Sequence, residues 1–240
     1  MNQRIKYGSA LLLALAVASP VALAQDGGKP VIAVAEFKNE TSAGWWGASV
    51  GSDLAGMLSN EMSNTGSFRM VERSKIQNVL EEQNLMASGR AKASNAAQMG
   101  KLAGAQYLVM GTVTSYEENT KSTGGGLSFG GISVGGKSES AYIAIDIRVV
   151  DTTTGEISYS RTIEGTSKGS GMSVGVYRGG WGGSLASQQN TPAGKAIRAA
   201  VVMVSDYLDC VMVRQDGCEA KFNAQEQRRR EKTSGALKLD

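Results

Sequence analysis

Apolar and polar positions alternate with two different periods along this chain, and the change of period divides it. Val31 to Phe37 (VIAVAEF) is a short apolar run behind a Gly-Gly-Lys-Pro turn, the pattern of a buried strand. A loop from Lys38 to Ala48 follows. Val50, Leu54, Met57, Leu58 and Met62 then recur on one helical face, and Gly66 is placed to cap the helix end. Phe68 to Val71 predicts a short strand. Ser74 is expected to cap a helix carrying Ile76, Val79 and Leu80, and Ser94 another that carries Ala97 and Leu102 and stops at Gly104. Tyr107 to Val113 predicts a further strand. The first half therefore reads β-α-β-α-α-β, a sheet covered by helices.

Beyond Val113 the period falls to two. Ile143, Ile145, Ile147 and Val149 fall on one face of a strand, with Tyr142, Ala144, Asp146 and Arg148 on the other. The turn Asp151 to Gly155 (DTTTG) leads into a returning strand, Glu156 to Ile163. Two glycine-rich stretches flank this hairpin, Thr123 to Gly136 and Gly165 to Gly183. Their sparse apolar positions are Leu127, Phe129, Ile132 and Val134, with a register break expected at Gly130-Gly131, and Met172, Val174 and Val176. Thr191 and Pro192 then open a long helix as N-cap and first helical residue. Its apolar stripe is Ile197, Ala200, Val201, Val204, Leu208 and Val211. From Glu219 the chain is polar and includes Arg228-Arg229-Arg230, which reads as a solvated helix or tail, with an acidic partner or anionic headgroups as the alternative.

The start of the chain has a different character. Arg4 and Lys6 precede a short apolar run, Ala10 to Ala18, and Ala22-Leu23-Ala24 forms a small-x-small cleavage site ahead of Gln25. These three parts in this order predict a cleaved export signal, residues 1–24. The run is too short for a spanning helix. No cysteine follows the site, so the exported form is expected to be unlipidated, with 216 of the 240 residues remaining and a net charge near +1 instead of +3. A near-neutral chain gives no electrostatic reason to expect nucleic acid.

Composition narrows the chemistry further. Histidine is absent, which removes the commonest general base and zinc ligand, so no cofactor, metal or catalytic set is expected. The carboxylate pairs Glu81-Glu82 and Glu117-Glu118 are sequence neighbours, and their side chains diverge on a helix or strand. The only cysteines, Cys210 and Cys218, flank an Asp216-Gly217 turn in the exported part, which suits a local disulfide, with two free thiols as the alternative. Gly131 to Ser138 matches the G-x4-G-K-S phosphate-loop pattern. That chemistry needs Lys-Ser to open a helix, and here an alternating β pattern follows instead. Sixteen of the 31 glycines fall between Lys121 and Asn190, more than an ordinary core tolerates. Trp45 and Trp46 are adjacent in a glycine-flanked loop. One can seal the core, but two cannot easily both be buried, so a contact surface or pore lining competes with packing.

Several ordered segments together resemble the curli secretion channel family, CsgG and the holdfast-anchoring HfaB proteins. They are FRMVERSKIQNVLEE from Phe68, GTVTSYEENTKS from Gly111, AIDIRVVDTTTGEI from Ala144, Gly175-Val176-Tyr177-Arg178, and the helix containing Met57-Leu58. The resemblance covers most of residues 31–213. It implies a ring of identical subunits in the outer membrane, each with a periplasmic α/β (α+β) domain, a mixed sheet flanked by helices, and two β-hairpins contributed to one shared barrel. On that reading residues 25–218 are the domain, with hairpin extensions at about 115–145 and 157–187, and residues 219–240 are a polar tail. Leu127, Phe129, Ile132 and Val134 would supply one membrane-facing belt, and Met172, Val174, Val176, Tyr177 and Trp181 the other. By position, Trp46 matches the family's constriction phenylalanine and Trp45 its asparagine, while Thr41 lies near its tyrosine. The implied function is non-enzymatic export of unfolded fibre or adhesin subunits, with periplasmic and surface accessory proteins as partners. A soluble periplasmic adaptor that kept the domain without the pore is the alternative.

Overall fold

The computed structural model describes residues 28–92, 99–129, 132–172 and 191–236. The export signal and the candidates Val174, Val176, Tyr177 and Trp181 lie outside these residues. The elements are β1 (Val31–Val34), β2 (Lys38–Asn39), α1 (Val50–Thr65), β3 (Arg69–Val71), α2 (Ile76–Ala87), β4 (Tyr107–Phe129), β5 (Ile132–Asp151), β6 (Ile157–Met172), α3 (Pro192–Asp209) and α4 (Glu219–Ala236). They form an α+β fold around one mixed sheet of order β3-β1-β4-β5-β6, with β2 pairing onto β4. β1 pairs in parallel with β3 and β4, and β4, β5 and β6 run antiparallel.

The core lies between one face of this sheet and α1 with α3. Ile143, Ile145, Ile147 and Val149 are buried, as their alternation predicts. Val50, Leu54, Leu58 and Met62 of α1 belong to the same core cluster, as do Ile197, Ala200, Val201, Val204 and Leu208 of α3. Gly66 ends α1 in the left-handed conformation at φ 67°, donating its N–H to Ser63 O. At α3 the Thr191 hydroxyl accepts from Gly194 N at 3.0 Å, with Pro192 in the first turn. One glycine here is a packing requirement. A Cβ on Gly165 of β6 would run into Ala196 O of α3 and come within 2.8 Å of the Ala200 methyl group.

Several expectations are corrected. Ser74 does not cap α2: its hydroxyl donates to Glu72 Oε1 at 2.8 Å, and the same carboxylate accepts from Lys75 N at 2.9 Å. The helix therefore starts one residue later, at Ile76, with Lys75 at the cap position. No helix runs over 99–104. Leu102 and Gly104 are exposed there, and Gly100 adopts φ 75°; Ser94 and Ala97 lie outside the described residues. Tyr107–Val113 is the start of a much longer strand, because β4 continues unbroken to Phe129. Gly130 and Gly131, where a register break is expected, lie outside the described residues. Phe129 on one side of them pairs with Ile132 on the other, and among the described residues a register shift falls between Thr123 and Leu127, opposite Gly135. The polar segment after Glu219 is the helix α4, fixed by Phe222, which is 4% exposed and packs edge-on to Tyr207 of α3 at 5.4 Å.

Candidate functional site

The loop between β2 and α1 is built by short-range hydrogen bonds. Asn39 Oδ1 accepts from the Thr41 backbone N–H at 2.9 Å and from the Thr41 hydroxyl at 2.7 Å, and Thr41 Oγ1 accepts from Ala43 N. Trp46 N then donates to Ala43 O, and Val50 N to Gly47 O, which hands the chain into α1. This stack of turns fixes where both tryptophans start, and their rings then part company. Trp45 is 8% exposed and belongs to the core, edge-on to Tyr116 of β4 at 5.2 Å. Its Nε1 is buried without a hydrogen-bond partner. Trp46 is half-buried and leans on Trp45, with 5.5 Å between ring centroids. Of the two rings, Trp46 is the one that reaches solvent. Tyr116 is the partner sequence reasoning missed; its signal was an aromatic just beyond the predicted strand Tyr107 to Val113.

Beyond Glu118 and its buried partner Ala141, β4 and β5 leave the core as a long hairpin. Leu127 pairs with Val134, and Phe129 with Ile132. Directly paired positions share a face, so these four fall on one face of the hairpin. β6 adds to it, because Met172 pairs with Gly136, two residues from Val134 on the same strand face. The opposite face holds the positions of Ser128, Ser133, Lys137 and Glu139. Near the tip one face is thus apolar and the other polar. The Gly-Lys-Ser of the phosphate-loop match lies within β5, not at the start of a helix, which removes the geometry that loop needs.

At the other end of the site, Cys210 and Cys218 are joined by a disulfide with Cα atoms 5.9 Å apart. Cys210 opens a π-helical turn, Cys210–Arg214, that closes α3, and Cys218 immediately precedes α4. The helix then crosses the edge strand β6. Arg161 donates to Asn223 Oδ1 at 2.6 Å and lies over the Tyr207 ring. Arg229 and Arg230 both reach Glu226 at 2.7 Å. The bond from Arg229 is the main reason the Glu226 carboxyl is held down to about 2, with Arg230 adding to it against the opposing effect of burial. A cleft of about 310 Å³ between α4 and β6 is lined by Glu164, Thr166, Arg228 and Lys232, among others. Among the described residues there is no cluster of acidic or cysteine side chains fit to hold a metal, and no helix long and apolar enough to cross a membrane.

Comparison with known proteins gives this arrangement a context. The family profile described as "Curli production assembly/transport component CsgG" matches residues 14–237. The curli production assembly/transport components CsgG of Escherichia coli K12 and Salmonella typhimurium LT2 are 28% identical to this chain over 161 residues. That match covers 63% of this chain and 58% of theirs, so the chain spans a little over half the length of these curated relatives. Among solved structures, the hypothetical protein CT253 from Chlamydia trachomatis aligns over 75% of this chain and 98% of that one, with a TM-score of 0.38 and 14% identity. A PelC dodecamer from Paraburkholderia phytofirmans aligns over 78% and 89%, with a TM-score of 0.33 and 15% identity. Scores this low carry no weight for fold or function. The profile match extends over nearly the whole sequence and takes in the tryptophan loop, the long hairpin and the disulfide, and on that ground the chain belongs to the curli production assembly/transport component CsgG family.

Proposed function

We propose that this chain is a non-enzymatic subunit of an outer-membrane secretion channel that passes unfolded fibre or adhesin polypeptides. The observation that carries this reading is the β4–β5 hairpin. It extends ~13 residues beyond Tyr116, where a barrel strand needs ~10 to cross a bilayer. Its register puts Leu127, Phe129, Ile132, Val134 and, through β6, Met172 on one face, with polar positions on the other. That is the apolar-out, polar-in alternation of a barrel wall. Copies of the hairpin, together with the segment after Met172 that includes Val174, Val176, Tyr177 and Trp181, would close one shared barrel in a homo-oligomeric ring.

The tryptophan loop is the gate of this channel. Trp45 anchors the loop in the core, and Trp46 presents the ring that narrows the passage. A collar of such rings, one from each subunit, acts by size and dewetting, and extended chains slide past it without bond-making chemistry or a cofactor. Export by the N-terminal signal supplies the periplasmic location. With no cysteine at the cleavage site, the barrel alone holds the ring in the outer membrane. Periplasmic and surface accessory proteins would deliver and receive the cargo.

One observation favours a second reading, a soluble periplasmic adaptor. At about 3.3 Å per residue, Ile132 to Gly136 covers about 13 Å, roughly half the apolar band of about 25 Å on outer-membrane barrels. Fractionation separates the two. A channel subunit stays with outer membranes through an alkaline carbonate wash. Release of the mature chain with the soluble periplasm would establish the adaptor instead.

A further inference from the structure

The pairing register decides which side chains at the base of the hairpin share a side with the tryptophan loop. Tyr116 pairs with Ile143 and Glu118 with Ala141, and both Ile143 and Ala141 are buried in the core. Directly paired positions share a face, so Tyr116 and Glu118 lie on the core side of β4. Glu117 pairs with Tyr142 and lies on the other side. Along β5, Ala141 stands an odd number of residues from Ile132 and Val134, so those apolar positions fall on the face opposite Glu118.

A chain of contacts joins the gate loop to this face. Trp46 leans on Trp45 at 5.5 Å, Trp45 meets the Tyr116 ring at 5.2 Å, and the Tyr116 hydroxyl donates to Glu118 Oε2 at 2.9 Å. Burial, and after it the hydrogen bond to Glu118 and the charge of that carboxylate, push the pKa of the Tyr116 hydroxyl up, so it stays protonated and keeps donating. Glu118 is exposed, and among the described residues no lysine or arginine pairs with it. The hydroxyl thus fixes the carboxylate in place without cancelling its charge. Lys38 and Glu40, both exposed beside the loop, are of opposite sign. Outward along the same face the register places Glu139 opposite Thr120 and then Lys137 opposite Ser122. Four residues at about 3.3 Å each put the Lys137 position about 13 Å beyond Glu118.

We infer that Glu118 sets the charge selectivity of the passage: one copy from each subunit forms a ring of carboxylates beside the tryptophan gate, which favours small cations and the lysine- or arginine-bearing stretches of an extended chain. The inference rests on the channel reading above, which turns the apolar face of the hairpin to lipid and the Glu118 face to the lumen. Rings of acidic side chains are a general device of cation-selective pores. A narrow entrance with low-dielectric walls focuses their field, and the apolar rings beside it displace the water that would weaken it. Tyr116 is the positioning residue, because its hydroxyl holds the carboxylate next to the gate.

The test is the reversal potential of the purified mature protein in a planar bilayer between potassium chloride solutions of unequal concentration. The wild-type channel is expected to pass potassium in preference to chloride. Glu118→Gln should lower the potassium-to-chloride permeability ratio by about threefold. Glu117→Gln, on the other strand face, should leave the ratio unchanged. Tyr116→Phe keeps its ring against Trp45 and should lower the ratio by less than Glu118→Gln does, at an unchanged unfolding midpoint. A Tyr116→Phe ratio equal to wild type removes Tyr116 from the positioning role. A conducting Glu118→Gln channel that keeps the wild-type ratio overturns the inference, and so does an equal fall with Glu117→Gln. If Glu118→Gln forms no channels, the wild-type ratio decides: a channel without potassium preference overturns it. Wild-type protein that gives no conductance at all contradicts the channel reading itself, so the two failures are told apart.

Discussion

Adjacent tryptophans in one loop do different jobs because only one has a place in the core. Trp45 is enclosed by the core and Tyr116, whereas Trp46 rests on Trp45 and faces outward. Trp45→Ala therefore leaves a large cavity and is expected to cost ~3–5 kcal/mol of folding stability. Trp46→Ala should cost less than about half of that, since its side chain is only half-buried. Urea unfolding of the two variants checks this, and equal losses would contradict the division of roles. Sequence alone left burial and function balanced for the pair, because the deciding contact comes from Tyr116, some 70 residues away in the chain. Gly165 makes the same point. Its surroundings showed only an excess of glycine, but its particular reason is the close approach of Ala196 and Ala200 on α3. The small residues of that helix face were visible; their partner was not.

At the scale of elements, α1 and α3 were legible because each has a continuous apolar stripe and a recognisable end. α4 was only partly legible: its polar pattern read as a solvated helix or tail, and the helix is held by one phenylalanine and a crosslink that apolar periodicity does not reveal. The Cys210–Cys218 disulfide ties the π-helical turn of α3 to the start of α4 with a sequence separation of 8. Closing so short a loop is expected to contribute ~2.5 kcal/mol through the unfolded chain. Cys210→Ala/Cys218→Ala should lose about that much and speed amide exchange throughout α4. Unchanged exchange in α4 would show that Phe222 and the Arg161–Asn223 bond suffice without it. The length of the β4–β5 hairpin came from the resemblance, which put an extension at about 115–145, and not from the apolar pattern. Glycine and serine are poor strand formers, so β4 and β5 run together through cross-strand backbone pairing that side-chain pattern does not reveal.

For the whole molecule, the sheet joins two unlike regions. One end is a packed α+β domain, and the other is a hairpin whose two faces differ in polarity. Family membership, the half-buried ring of Trp46 and the length of the hairpin support the proposed channel wall, which one chain would not close by itself. The most direct measurement is single-channel recording of the purified mature protein in a planar bilayer. The expected result is discrete conductance steps that grow larger with Trp46→Ala, because removing the collar widens and wets the narrowest point. A folded protein that gives no steps in the bilayer would contradict the channel, and steps unaltered by Trp46→Ala would contradict the gate.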